Sequence, residues 1–252
     1  MIAIEVLGLF TLLQGSVVGQ YYAPPGRIES DASKPGHVVI LPGRLGASGE
    51  LRAFEGMLET YNIGSGNLST QIWDWTRTEL PKGVRDDRRG SSQANRLRAK
   101  ELSERLRVWR LDHIQEKAYL VALGEGAWIA TLACEHLPDE FFERILFLSA
   151  AISTSEIGLD MLKRRTRGST GFFNYSSQQD GSLGTAKSRV VGYDGFDPGS
   201  QVWSLRWQSE HRKLGNWGAH LQCLNQDFAR EKLLPVFHDD RSRAKEAGWR
   251  EQ

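Results

Sequence analysis

Residues 117–134 read KAYLVALGEGAWIATLAC, and the order of events inside this stretch decides the fold. Lys117–Leu123 is a short apolar run rich in strand formers, the pattern of a strand buried on both faces. Gly124 and Gly126 then mark a tight turn. The residues from 128 to 137 follow at once as an apolar helix. Strand, glycine turn and immediate helix form half of a parallel crossover unit, so the rest of the chain is expected to repeat the alternation.

Working outward, it does. Residues 37–41 (HVVIL) are a strand ending in Pro42-Gly43. Residues 50–61 place Leu51, Phe54, Met57, Leu58 and Tyr61 at helical spacing. Residues 71–75 (QIWDW) read as a second strand, and 92–110 as a charged helix with Leu97, Leu102, Leu106 and Trp109 toward the core. Further strands are expected at 145–149, 172–176 and 202–207, with a last helix over 221–234. Apolar strands separated by helices imply an α/β protein with a doubly wound, mostly parallel sheet and helices on both faces. The division is an N-terminal apolar segment and Pro-rich connection (1–34), one domain (35–238) and a charged tail (239–252).

Composition narrows the function classes. The chain has 252 residues, 40% hydrophobic and 25% charged, a balance that excludes wholesale disorder. Its 32 basic and 31 acidic residues leave a net charge of +1, so no global field draws it to nucleic acid. The basic excess between Arg77 and Arg110 reads as a solvated helix face, because no nucleic-acid reader motif accompanies it. Two cysteines, Cys134 and Cys223, make neither a disulfide framework nor a zinc site, and the six histidines show no H-x-x-x-H pair, so no metal or cofactor is expected. Residues 1–19 carry Glu5 and Gln14 and no basic leader. They fit a packed helix or first strand, an export signal or a membrane anchor. The default expectation is a cytoplasmic protein, with export or membrane attachment if 1–19 acts as signal or anchor.

In doubly wound sheets, ligands bind outside the carboxyl ends of the strands, so the residues just after each strand are the candidates. A strand, a tight turn and a helix also make the nucleophile elbow of G-x-S-x-G enzymes, where small residues let a strained serine stand clear of the sheet. With Gly124 as the first small residue of that frame, Gly126 falls on the serine position and its hydroxyl is absent. Asp180 follows the fifth strand and His220 the sixth, inside GNWGAH (215–220). Elbow, acid, histidine is the chain order of the α/β-hydrolase triad.

On these residues the sequence resembles the α/β-hydrolase fold, lipase and esterase branch, over residues 36 to about 237. It looks closest to a bacterial group with an N-Y-S segment before the acid, here Asn174-Tyr175-Ser176, and a G-N-x-G-x-H segment, here Gly215 to His220. The resemblance implies an oxyanion hole built from the amides of Arg44 and Ala127, with Asp180 orienting His220 as general base. Gly126 departs from the pattern where covalent chemistry happens. The expectation is therefore a degenerate hydrolase, a pseudoenzyme that binds a small-molecule ligand or acyl substrate. Two alternatives stand beside it. One is an active hydrolase using Asp180 and His220 with another nucleophile or an activated water. The other is a membrane-tethered interaction protein.

Overall fold

The computed structural model describes residues 27–180, 183, 189–206, 220–221 and 223–252. The apolar segment 1–19, the Pro24-Pro25 pair and residues 215–219 lie outside the described residues.

Each main element has a local cause. Strand β1 (Gly36–Leu41) is buried throughout. In helix α1 (Gly49–Thr60) the Ser48 hydroxyl accepts from the Leu51 amide at 3.2 Å, and Leu51, Phe54, Met57 and Leu58 form the buried face. Such a cap contributes about 1 kcal/mol. Strand β2 (Ser69–Ile72) follows, then helix α2 (Gln93–Asp112), capped by Ser92. Strand β3 (Lys117–Leu123) leads directly into helix α3 (Gly126–Cys134). Strand β4 (Arg144–Leu148), the short helix α4 (Leu159–Arg164), strand β5 (Phe172–Ser176), a single helical turn α5 (Val191–Asp194) and strand β6 (Trp203–Arg206) complete the alternation. A helical run from Gln226 to Phe237, the short helix α6 (Ser242–Glu246) and strand β7 (Arg250–Glu251) close the chain.

The sheet has seven strands in the order β2-β1-β3-β4-β5-β6-β7. Every neighbouring pair is parallel except β6 with β7. Alternate strand residues feed two cores. Val39, Leu41, Leu120, Ala122, Ile145 and Phe147 face α2 and α3. Val38, Ile40, Val121, Leu123, Leu146 and Phe173 face α1 and the 226–237 run. This is the expected doubly wound, mostly parallel α/β architecture, with helices on both faces. From β1 the chain moves outward to β2 and then returns to the other side as β3, so the winding direction reverses between β1 and β3. Their carboxyl ends, Pro42-Gly43 and Gly124, therefore border the crevice where such sheets take ligands.

Three expectations are corrected. The second strand is Ser69–Ile72, not 71–75; its ladder ends where the Trp73 amide donates to the Ile40 carbonyl at 2.9 Å. Asp74 then caps a 3₁₀ turn at Trp75–Arg77, and the Trp75 indole donates to the Pro42 carbonyl at 2.6 Å. The last long helix, expected over 221–234, is described as starting at Gln226 under an Asn225 cap and changing to a 3₁₀ turn at Leu234–Phe237. The charged tail is part of the domain: Arg250–Glu251 pairs with β6, and Trp249 is fully buried with its indole donating to the Lys232 carbonyl at 2.6 Å. One large apolar side chain outweighs the charges around it, since burying an aromatic removes well over 100 Å² from water.

Candidate functional site

The turn after β3 is held from three sides. The Gly124 amide donates to the Leu148 carbonyl at 3.0 Å, and its own carbonyl accepts from the amides of Ala127 at 3.2 Å and Ala151 at 2.9 Å. Its φ of +53° lies in the left-handed region, the strained backbone that an elbow nucleophile occupies.

Asp180 and His220 come together there, although 40 residues separate them in sequence. His220 Nδ1 stands 2.7 Å from Asp180 Oδ2, with the carboxylate fully buried and the imidazole nearly so. In the neutral imidazole, with the proton on the nitrogen that faces the carboxylate, Nε2 is the acceptor. That nitrogen faces Gly124: a Cβ on Gly124 would stand 3.3 Å from Nε2 and 3.5 Å from Cε1 of His220, and 3.7 Å from Gly43 Cα.

Gly126 lies elsewhere. A Cβ there would meet the Pro42 carbonyl oxygen at 2.6 Å and the Leu41 carbonyl oxygen at 2.8 Å. Both are backbone atoms at the end of β1, and Pro42 is further fixed by Trp75. No side chain fits, because the first turn of α3 rests directly on the strand. Gly126, the expected nucleophile position, thus has no room for a side chain, and the position beside the imidazole is Gly124, two residues earlier. The frame becomes Ala122-Leu123-Gly124-Glu125-Gly126, with Gly126 as the small residue that lets helix and strand approach.

The amides expected for an oxyanion hole are those of Arg44 and Ala127. The Ala127 amide is spent on the Gly124 carbonyl, so it does not point into the crevice; the residue after the elbow position is Glu125. Arg44 occupies the tip of a turn closed by the Gly46 amide on the Gly43 carbonyl at 3.0 Å. Its guanidinium Nε reaches Glu125 Oε1 at 3.4 Å, so an ion pair bridges the β1 loop and the elbow. Both partners are part-exposed, so the pair is worth well under 1 kcal/mol and yields readily to a ligand.

Cys223 is the nearest thiol to the couple, with Sγ 3.4 Å from the His220 carbonyl. Burial pushes it far above the ordinary thiol range, and the Asp180 charge adds to the effect, which disfavours the thiolate that nucleophilic attack needs. Burial likewise raises the Tyr175 phenol beside Asp180. Sequence reasoning takes Gly124 as the first small residue of the frame, though a signal for the other register exists: an elbow nucleophile follows its strand directly, and Ala122 satisfies the first small position.

Among the described residues, no group of three or more His, Cys, Asp or Glu is placed to hold a metal ion. Within them, no helix is long and apolar enough to cross a membrane. No protein-family model matches the chain, and no curated protein does. Similar solved structures include a protein from Xanthomonas campestris pv. campestris assigned to the alpha/beta hydrolase superfamily, at 18% identity and TM-score 0.48, covering 77% of this chain and 96% of that one. An alpha-beta serine hydrolase homologue from Coxiella burnetii is 13% identical with TM-score 0.45, covering 78% and 85%. A lipase-esterase related protein from Clostridium acetobutylicum is 9% identical with TM-score 0.46, covering 79% and 93%.

Proposed function

We propose that this chain is a degenerate serine-hydrolase-type protein that binds a small-molecule ligand between the β1 loop and the elbow without forming an acyl-enzyme. The observation that carries the reading is the 3.3 Å between His220 Nε2 and the place a Gly124 Cβ would take, with Asp180 on the other ring nitrogen. Base, orienting acid and strained turn are in register, and the reactive hydroxyl is the single missing part. Removal of such a nucleophile costs about 10⁶-fold in turnover, and the residual ~10³–10⁴-fold over water comes from oxyanion binding and positioning. The amides of Glu125 and Arg44 are the oxyanion donors in this reading.

The expected outcome is no labelling of the purified chain by a fluorophosphonate probe and no turnover of short-chain nitrophenyl esters. Robust labelling at any serine overturns the reading. A second reading is favoured by the retained histidine–aspartate couple, whose acceptor nitrogen is aimed at the crevice: His220 acts as general base on a bound water. His220→Ala separates the two, because it abolishes activity in the second reading and alters only ligand affinity in the first.

A further inference from the structure

Beside the carboxyl end of β1 lies a groove of about 610 Å³, lined by Arg44, Leu45 and residues 85–89. The 85–90 loop is fixed at both ends. Arg88 Nη1 donates to the Arg44 carbonyl at 3.0 Å. At the other end, Gly90 sits against the Trp128 indole, where an added Cβ would be 3.7 Å from Cζ2, and Asn95 Nδ2 donates to the Gly90 carbonyl at 2.9 Å. The loop therefore runs from the Arg44 turn to the first turn of α3, flanking the elbow.

Of its two acids, Asp86 is ion-paired and Asp87 is held by a backbone amide. Asp86 takes Arg98 at 2.6 Å and Arg88 at 3.2 Å, which holds its carboxyl below the usual range, the Arg98 hydrogen bond being the main cause. Asp87 Oδ1 accepts from the Arg89 amide at 3.0 Å. The side chains of Arg85 and Arg89 make no hydrogen bond or ion pair among the described residues, and both residues are exposed. Leu45 stands beside them at 82% exposure, the most exposed large apolar side chain among the described residues. Two cations next to an unpartnered apolar side chain match a ligand that is charged at one end and apolar at the other.

We propose that this groove binds a small amphipathic oxyanion, a carboxylate or phosphate monoester carrying an apolar group, with Arg85 and Arg89 on the anion and Leu45 on the apolar part. Arg44 joins groove to crevice, since its side chain reaches Glu125 and the preceding Gly43 faces Gly124. The proposal rests on reading that crevice as a ligand site and names the class of ligand.

Calorimetric titration of the full chain at low ionic strength with octanoate, octyl phosphate, 1-octanol and inorganic phosphate tests it. Octanoate and octyl phosphate should each bind about tenfold tighter than octanol, the scale of a charge-assisted contact on an exposed surface. Arg85→Ala/Arg89→Ala should remove that difference, and so should raising salt from about 50 to about 500 mM. Tighter binding of either anion supports the proposal, and the order of the two identifies the headgroup. Equal binding of octanol and octanoate, inorganic phosphate binding as tightly as octyl phosphate, or an unchanged double variant overturns it. Should the double variant fail to fold, Arg89→Glu alone carries the same comparison. The elbow assignment is read separately, by fluorophosphonate labelling of Gly124→Ser, so loss of the groove and loss of the elbow assignment give different patterns.

Discussion

Gly124→Ser is the decisive perturbation. The new Cβ lies 3.3 Å from His220 Nε2 and 3.5 Å from Cε1, close enough that the imidazole must yield by a few tenths of an ångström. It is a side chain, and it can. The Oγ, one bond further on, then has a rotamer that brings it within the ~2.6–3.2 Å that a base needs. Holding a non-glycine residue at a φ of +53° costs about 1–3 kcal/mol, which a domain with two cores tolerates. Gly126→Ser is the internal control. Its Cβ would meet two backbone carbonyls at 2.6 and 2.8 Å, which cannot retreat without moving β1, so overpacking of about 3 kcal/mol is expected and no contact with His220. The assay is fluorophosphonate labelling with mass-spectrometric site assignment, followed by burst kinetics on nitrophenyl butyrate. Gly124→Ser should label at residue 124 and hydrolyse the ester above background, with an upper limit near the ~10⁶-fold that a triad nucleophile supplies. Adding His220→Ala should remove the gain. A folded Gly124→Ser protein that neither labels nor turns over, or labelling of Gly126→Ser instead, refutes the assignment.

Two further outcomes follow from buried charge. His37 is 1% exposed, with Nδ1 3.0 Å from the Ser69 hydroxyl; burial, reinforced by the charge of His113, lowers its pKa to about 4. Between that value and the ordinary ~6.5, the unfolded chain binds a proton that the native state refuses, so stability falls as pH drops through this window, by about 3 kcal/mol in all. Urea midpoints at about pH 7 and about pH 4.5 should differ less for His37→Gln than for the unsubstituted chain, and an identical difference would show that His37 does not govern the window. Asp86→Ala strips Arg98, itself 1% exposed, of its carboxylate. About 2 kcal/mol of stability should be lost, with faster hydrogen exchange over 85–90; a change below about 0.5 kcal/mol would mean the pair is solvated.

The parts of the fold legible in the sequence are those buried on both sides. Strands β1, β3, β4 and β5 stand out because every residue, or all but one, is covered. The edges do not announce themselves. Ser69–Ile72 is a half-covered polar strand at the end of the sheet, and the fully buried Trp73 and Trp75 beside it draw the reading downstream. Arg250–Glu251 is too short for any period, and only Trp249 betrays it. The couple of Asp180 and His220 was readable from chain order, because each follows a strand whose carboxyl end faces the crevice. The groove was not, because the 85–90 loop reaches Arg44 only through tertiary contacts that no local pattern encodes.

The two glycines of the elbow show where a template stops and geometry begins. On paper they are the same residue, and a frame that opens on glycine selects the later one. In space they are opposites. Gly126 has no side chain because the carbonyls of β1 leave no room for one. Gly124 has none although the imidazole leaves nearly enough, and its backbone already holds the conformation a nucleophile requires. An absence that packing enforces says nothing about chemistry. An absence that packing permits, beside an imidazole held by a buried carboxylate, marks a position where a side chain fits and none stands.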